Sequence, residues 1–176
     1  MTRVYHLWLT TRIVGSNGNA GNPVIPVSPA TISSSNVNNV SWQVNWDDLF
    51  KRENKNYKRC TVRFQLNSVG FTRTDTDWGT YNGVLTCNLQ SSSVGTTTYG
   101  TPLGLIYPID NPCAPAGNDT RAFFLNTLDK VQGVDVLVPS GNSYFTLSWY
   151  NSNNVSLMTP LYDYQILLQF ELSEPI

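Results

Sequence analysis

Four aspartates, one histidine and three cysteines are the side chains in this 176-residue sequence whose types and spacing come nearest to chemistry. Asp47 and Asp48 stand together in VSWQVNWDDLF, and Asp75 and Asp77 stand two apart in TDTDWG. A glycosidase needs two carboxyls facing each other across ~5–10 Å. Neighbouring residues of a strand point to opposite faces, so Asp47 and Asp48 do not form that clamp by themselves. Asp75 and Asp77 suit one side of a calcium loop, but such a loop normally offers more oxygen ligands at defined spacing. Solvated turn carboxylates are the preferred reading there. A Ser-His-Asp set would have to use His6, the only histidine, and no GxSxG elbow is present. Neither GxxxxGK[ST] nor GxGxxG occurs, so the sequence carries no phosphate-cradling loop. Cys60, Cys87 and Cys113 include no CxxC pair. Buried free thiols in a reducing compartment are expected rather than a zinc site or a disulfide framework. The expectation is a non-enzymatic protein with no catalytic residues, no metal and no cofactor.

The elements around these residues read as strands. Charged residues make up 13% of the chain, about half the usual share. Asn, Ser and Thr take their place and favour turns and strands over helix interiors. The strongest pattern is PLYDYQILLQFEL, where Tyr162, Tyr164, Ile166, Leu168, Phe170 and Leu172 alternate with mostly polar residues. Strict period-two alternation marks a long strand with one buried face. The same rule places Val62, Phe64 and Leu66 together, then Leu85, Cys87 and Leu89, then Val134, Val136 and Val138, then Phe145, Leu147 and Trp149. LGLIYP, ending at Pro108, and RAFFLNTL are two further strands. In VSWQVNWDDLF, Trp42, Val44 and Trp46 form an inward face. Asp47 is expected to cap a short helical corner, with Asp48 near its positive end. That makes eight strands between residues 40 and 172. Long connections are expected near 70–82, 91–102 and 108–120, lengths that suit crossings between two sheets.

Residues 1–39 read differently. VYHLWLTTRIV is apolar enough to need a partner, and the stretch from 15 to 39 is rich in Gly, Asn, Ser and Pro. The expected organisation is an extended N-terminal arm over 1–39 and a single domain over 40–176. The arm either adds a strand to its own sheet or reaches onto a neighbour. The opening stretch has no uninterrupted apolar run, so no signal peptide is expected. No segment approaches the length of a membrane span, so any membrane contact would not use a transmembrane segment. Net charge is −1, which gives no general argument for nucleic-acid binding. One local bias exists. Lys51, Arg52, Lys55, Lys58, Arg59 and Arg63 are six of the eleven basic residues. They read as a solvated loop and strand start, or as a contact for an acidic partner surface or nucleic acid.

Eight strands with long cross-sheet connections suggest an all-β, eight-stranded jelly-roll sandwich of two antiparallel sheets, with an immunoglobulin-like sandwich as the alternative. VSWQVNWDDLF, NYKRCTVRF and PLYDYQILLQFEL resemble the single jelly-roll minor capsid or penton proteins of large icosahedral, nucleocytoplasmic DNA viruses. The resemblance covers about residues 40 to 172 and rests on strand order and flavour. It implies a structural virion protein, assembled in the host cytoplasm, that packs with the major capsid protein and other capsid proteins. It further implies a homo-oligomer, pentameric at a vertex, with no small-molecule substrate. The surfaces expected to carry that packing are Tyr5, Leu7 and Trp8 of the arm, and Lys51, Arg52, Lys55, Lys58 and Arg59. Two other classes are kept beside it. One is a receptor- or carbohydrate-binding jelly roll that stacks sugars on Trp78 or Tyr81. The other is a hydrolase built on Asp75 and Asp77.

Overall fold

A computed structural model of the chain describes residues 3–10, 30–32, 39–66, 69–72, 83–91, 100–110, 119–123, 133–151 and 165–176. Eleven strands lie among these residues: β1 (Arg3–Thr10), β2 (Ala30–Ile32), β3 (Asn39–Asn45), β4 (Tyr57–Leu66), β5 (Val69–Thr72), β6 (Gly83–Cys87), β7 (Thr101–Asp110), β8 (Asp119–Phe123), β9 (Val134–Leu137), β10 (Asn142–Asn151) and β11 (Gln165–Pro175). One helical turn, α1 (Trp46–Leu49), and a 3-10 turn (Glu53–Asn56) are the helical elements described.

The strands form two antiparallel sheets. The first has the order β1-β11-β4-β9 and the second β2-β3-β10-β6-β7-β8-β5. Chain neighbours mostly lie in opposite sheets: β3 belongs to the second, β4 to the first, β9 to the first and β10 to the second. Between the layers sits one hydrophobic core. Leu7, Leu9, Cys60, Val62, Phe64, Leu66, Val136, Ile166, Leu168, Phe170 and Leu172 enter it from the first sheet, and Val40, Trp42, Val44, Leu85, Cys87, Phe145, Leu147 and Trp149 from the second. Each large apolar side chain removed from water contributes about 1.5–3 kcal/mol before conformational entropy is set against it.

The alternation read in the sequence is realised in β11, β4 and β10. Ile166, Leu168, Phe170 and Leu172 are buried, as are Val62, Phe64 and Leu66, and Phe145, Leu147 and Trp149. Tyr162 and Tyr164 lie outside the described residues. β6 departs from the pattern, because Val84 and Thr86 are buried as well as Leu85 and Cys87.

Three strands are additional to the eight read between residues 40 and 172. β1 is one of them: its eight residues pair with β11 in unbroken antiparallel register, from Arg3↔Leu172 to Thr10↔Gln165. Of the two arrangements open to the arm, residues 3–10 take the intramolecular one. Leu7 and Leu9 then fill the core that β11 alone would leave open. β2 adds three residues against β3. β5 falls at the start of the expected 70–82 connection and pairs with β8. β7 also runs past Pro108, which the sequence reading takes as a strand end. Proline lacks an N–H but accepts as well as any residue, and Pro108 pairs opposite Ala122. Near its start, β7 is bulged against β6 between Leu85 and Thr86, next to Pro102. The connections expected at 91–102 and 108–120 are accordingly shorter, since residues 101–110 are strand.

Candidate functional site

The tryptophan–aspartate stretch turns the chain from one sheet to the other. β3 delivers Trp46 at the first position of α1, fully buried. Its indole stacks on Phe50 with centroids 6.0 Å apart, meets Phe145 and Phe170 edge-on at 5.8 and 5.6 Å, and donates from Nε1 to Ser143 Oγ at 2.9 Å. Phe50 also meets Tyr5 edge-on at 5.3 Å and Phe170 at 5.8 Å. These rings join both sheets at one end of the sandwich, and such pairs add about 0.5–1.5 kcal/mol each beyond burial.

Asn45 caps α1, not Asp47 as expected. Its Oδ1 accepts from the Asp48 backbone N–H at 3.3 Å, while its Nδ2 donates to Asp48 Oδ2 at 2.7 Å. An N-cap residue keeps extended dihedrals, and Asn45, the last strand residue, already has them (φ −86°, ψ 92°). Asp47 is therefore freed to brace the corner. Its Oδ1 accepts from Asn54 Nδ2 at 2.8 Å and from the Gly141 N–H at 3.0 Å. Asn54 Nδ2 also donates to the Pro139 carbonyl at 3.2 Å, and the Trp46 N–H to the Gly141 carbonyl at 2.8 Å. The corner is thus tied to the β9–β10 turn. The hydrogen bond from Asn54, then that from Gly141, holds the Asp47 carboxyl below the usual carboxylate range. Asp47 is held by an amide and a backbone N–H and Asp48 by the Asn45 amide, so both carboxylates take part in the hydrogen bonding of the turn.

Lys51 and Arg52 follow α1 in the left-handed region, at φ 50° and 64°. Helices often end in that conformation, usually on glycine. The basic residues fan outward from here. Lys51, Arg52, Lys55, Lys58 and Arg59 are exposed, and Arg63 is half-buried. Part of their charge is met within the chain. Arg59 Nε pairs with Glu174 Oε2 at 3.0 Å, Arg63 with Glu171 at 2.7 Å, and Arg3 with Glu53 at 3.9 Å. Among the described residues, Lys51, Lys55 and Lys58 form no ion pair. The expected basic surface is accordingly narrower than the six residues suggest, and is centred on those lysines and Arg52.

The apolar residues proposed beside it separate. Leu7 is fully buried and offers no surface, because odd-numbered residues of β1 face the core. Tyr5 is half-buried against Phe50. Trp8 points the other way and stays 45% exposed, with Val4 at 43% on the same face. His6 lies between them, exposed, with Nε2 3.3 Å from Gln169 Nε2.

Cys60 and Cys87 are buried, and burial pushes both thiols up to about 12. Both are protonated and unreactive at neutral pH. Among the described residues, no three His, Cys, Asp or Glu side chains cluster as metal ligands would. Cys113, Asp75, Asp77, Trp78 and Tyr81 lie outside the described residues. Sequence reasoning missed Asn45 and Asn54 as the corner's braces, and Glu171 and Glu174 as the partners of Arg63 and Arg59. Asn is so common in this chain that neither asparagine stood out, and the ion pairs join residues more than a hundred positions apart.

A scan against protein-family models and a search of curated proteins each find no match to this chain.

Proposed function

We propose that this protein is a non-catalytic structural subunit of an icosahedral viral shell, a single jelly roll acting as a minor capsid or penton protein beside the major capsid protein. Strand order is the observation that carries this. Taking β1, β3, β4, β6, β7, β9, β10 and β11 as strands one to eight, the first sheet reads one-eight-three-six and the middle of the second reads two-seven-four-five. That interleaving is what two nested Greek keys produce when a long antiparallel hairpin rolls up. β2, β8 and β5 extend the second sheet at its two ends. The eight-strand set is not the one the sequence suggests, since β1 belongs to it and β8 does not.

The stretches that resemble capsid proteins occupy β3 with α1, β4 and β11, where the two layers are joined. Low formal charge favours wide faces that meet without strong repulsion, and the exposed basic corner suits an acidic neighbour. The virion, assembled in the host cytoplasm, is the corresponding location.

The direct test is recovery of this chain in purified icosahedral particles. Peptides at a fixed ratio to the main shell protein, retained through repeated gradient purification, are expected. Their absence from particles of cells that express the chain would overturn the role. Light scattering of the purified chain then divides the positions: a pentamer, or a multiple of five, belongs at a vertex, a monomer or dimer in a cementing site.

A further inference from the structure

The two sheets have four edges, and they are not alike. β9 is four residues long, carries Asp135 bound to Thr61 Oγ1 at 2.6 Å, and is followed by Pro139. β2 has three residues, and β5 has four with Gly70 in its middle. Short length, glycine, proline and charge are the usual ways of blunting an edge whose unpaired N–H and C=O groups would otherwise recruit another strand. β1 has none of these devices along Val4 to Leu9. It spans eight residues without proline, glycine or bulge, and among the described residues β11 is its one strand partner. Its outward face shows Val4 and Trp8 to solvent. Among the described residues, β1 is also engaged at its two ends, where Arg3 pairs with Glu53 at 3.9 Å and the Thr10 carbonyl accepts from Trp42 Nε1 at 3.0 Å, and on its core side, where Tyr5 meets Phe50.

We infer that β1 is a self-pairing edge: two copies of this chain join β1 to β1 antiparallel, with the two-fold axis at His6, to form one continuous sheet across the dimer. The side-chain order of the strand selects this register. With His6 opposite His6 of the second copy, Val4 meets Trp8 on the outer face, twice by symmetry. On the core side Tyr5 meets Leu7, and Arg3 meets Leu9, so no formal charge faces its own copy. Moving the axis to Leu7 would set Val4 against Thr10 and Trp8 against His6, losing both apolar pairs. Cross-strand aromatic and β-branched pairs are favourable, and a two-fold contact must be self-complementary in this way. The pairing does not depend on a role in a shell, and a chain absent from virus particles would still be expected to show it.

Cysteine cross-linking tests the register. In a Cys113→Ser background, His6→Cys puts two thiols directly opposite, where antiparallel Cα atoms lie ~4.5–5.5 Å apart and within disulfide reach. Arg3→Cys puts them six positions apart, about 20 Å. Mild oxidation of the full-length chain is expected to give a covalent dimer from His6→Cys and monomer from Arg3→Cys. A mixture of the Val4→Cys and Trp8→Cys chains, one enlarged by a tag, is expected to give the heterodimer. Trp8→Lys should weaken dimerisation by about tenfold or more in sedimentation equilibrium, with an unchanged thermal midpoint at concentrations where both chains are monomeric, because Trp8 lies outside the core. Equal cross-linking of His6→Cys and Arg3→Cys, no cross-link from His6→Cys, or a dimer indifferent to Trp8→Lys would overturn the inference.

Discussion

The outer faces of the two sheets differ more than their inner ones. The first sheet turns Gln65, Arg63, Thr61, Gln169 and Glu171 outward, all at least partly in contact with solvent. The second, along β6 and β10, buries Val84, Thr86 and Ser148 on the side away from the core. Thr86 and Ser148 are paired across the strands, with Thr86 Oγ1 donating to the Ser148 carbonyl at 3.4 Å. A one-faced sheet tolerates charge on its back, whereas a sheet buried on both sides accepts only small, hydrogen-bonded polar groups there. Two sheets of one sandwich thus obey different substitution rules.

The interior they share sets the upper limit. Trp46→Ala is expected to cost about 3–5 kcal/mol in denaturant unfolding, since it removes a fully buried indole in contact with both sheets. The comparison itself is broken or kept by a pair of lysines. Thr86→Lys should cost about 3 kcal/mol, because Thr86 is fully buried and an ammonium there would lose its hydration, while Gln65→Lys should stay within about 0.5 kcal/mol. Equal effects would show that the second sheet is covered no more tightly than the first.

Two glycines sharpen the contrast. At Gly100, φ is +117° and a Cβ would run into the Cys87 carbonyl oxygen, so Gly100→Ala should cost about 2–3 kcal/mol. At Gly133 an added Cβ would meet the Thr61 side chain, Arg63 Cγ at 2.9 Å and the Val62 carbonyl oxygen at 2.9 Å. Gly133 does not have a positive φ, so Gly133→Ala should cost less, about 1–2 kcal/mol, from the shift these contacts require. Thermal unfolding of the two variants side by side checks the order.

On the first sheet's outer face, the Arg63–Glu171 pair has side chains 23% and 33% exposed, against nearly half for Arg59–Glu174. Arg63→Ala should therefore destabilise more than Arg59→Ala, each by about 1 kcal/mol or less, and the difference should shrink in high salt. The smallest effect concerns acid. Because the folded state lowers the Asp47 pKa, its contribution is present above the ordinary carboxylate range and lost as pH falls through the lowered value. Asp47→Asn should flatten the fall of the thermal midpoint below about pH 4.

How legible each part was follows from the same contrast. β11, β4 and β10 could be read because a strand with one wet face alternates at every residue. β6 was read as one-faced, since Val84 and Thr86 suit an outward position equally well and only the enclosing structure buries them. β1 is legible as an apolar segment that adds a strand to its own sheet or reaches onto a neighbour, but its partner strand is not, because the pairing is with a segment more than 150 residues away. The corner was found, and its capping residue missed by two positions. Asp and Asn are equivalent caps by type, and the choice falls to whichever already has extended dihedrals where the strand ends.

By itself the sequence determined that this chain is all-β, where most strands run, and which side chains of β3, β4, β10 and β11 face inward, since residue alternation is a local property of extended backbone. Tertiary structure alone decided which strands are neighbours, which strands end each sheet, which charges are met and which back face is buried. Those outcomes depend on pairings between distant residues, and no local pattern records them.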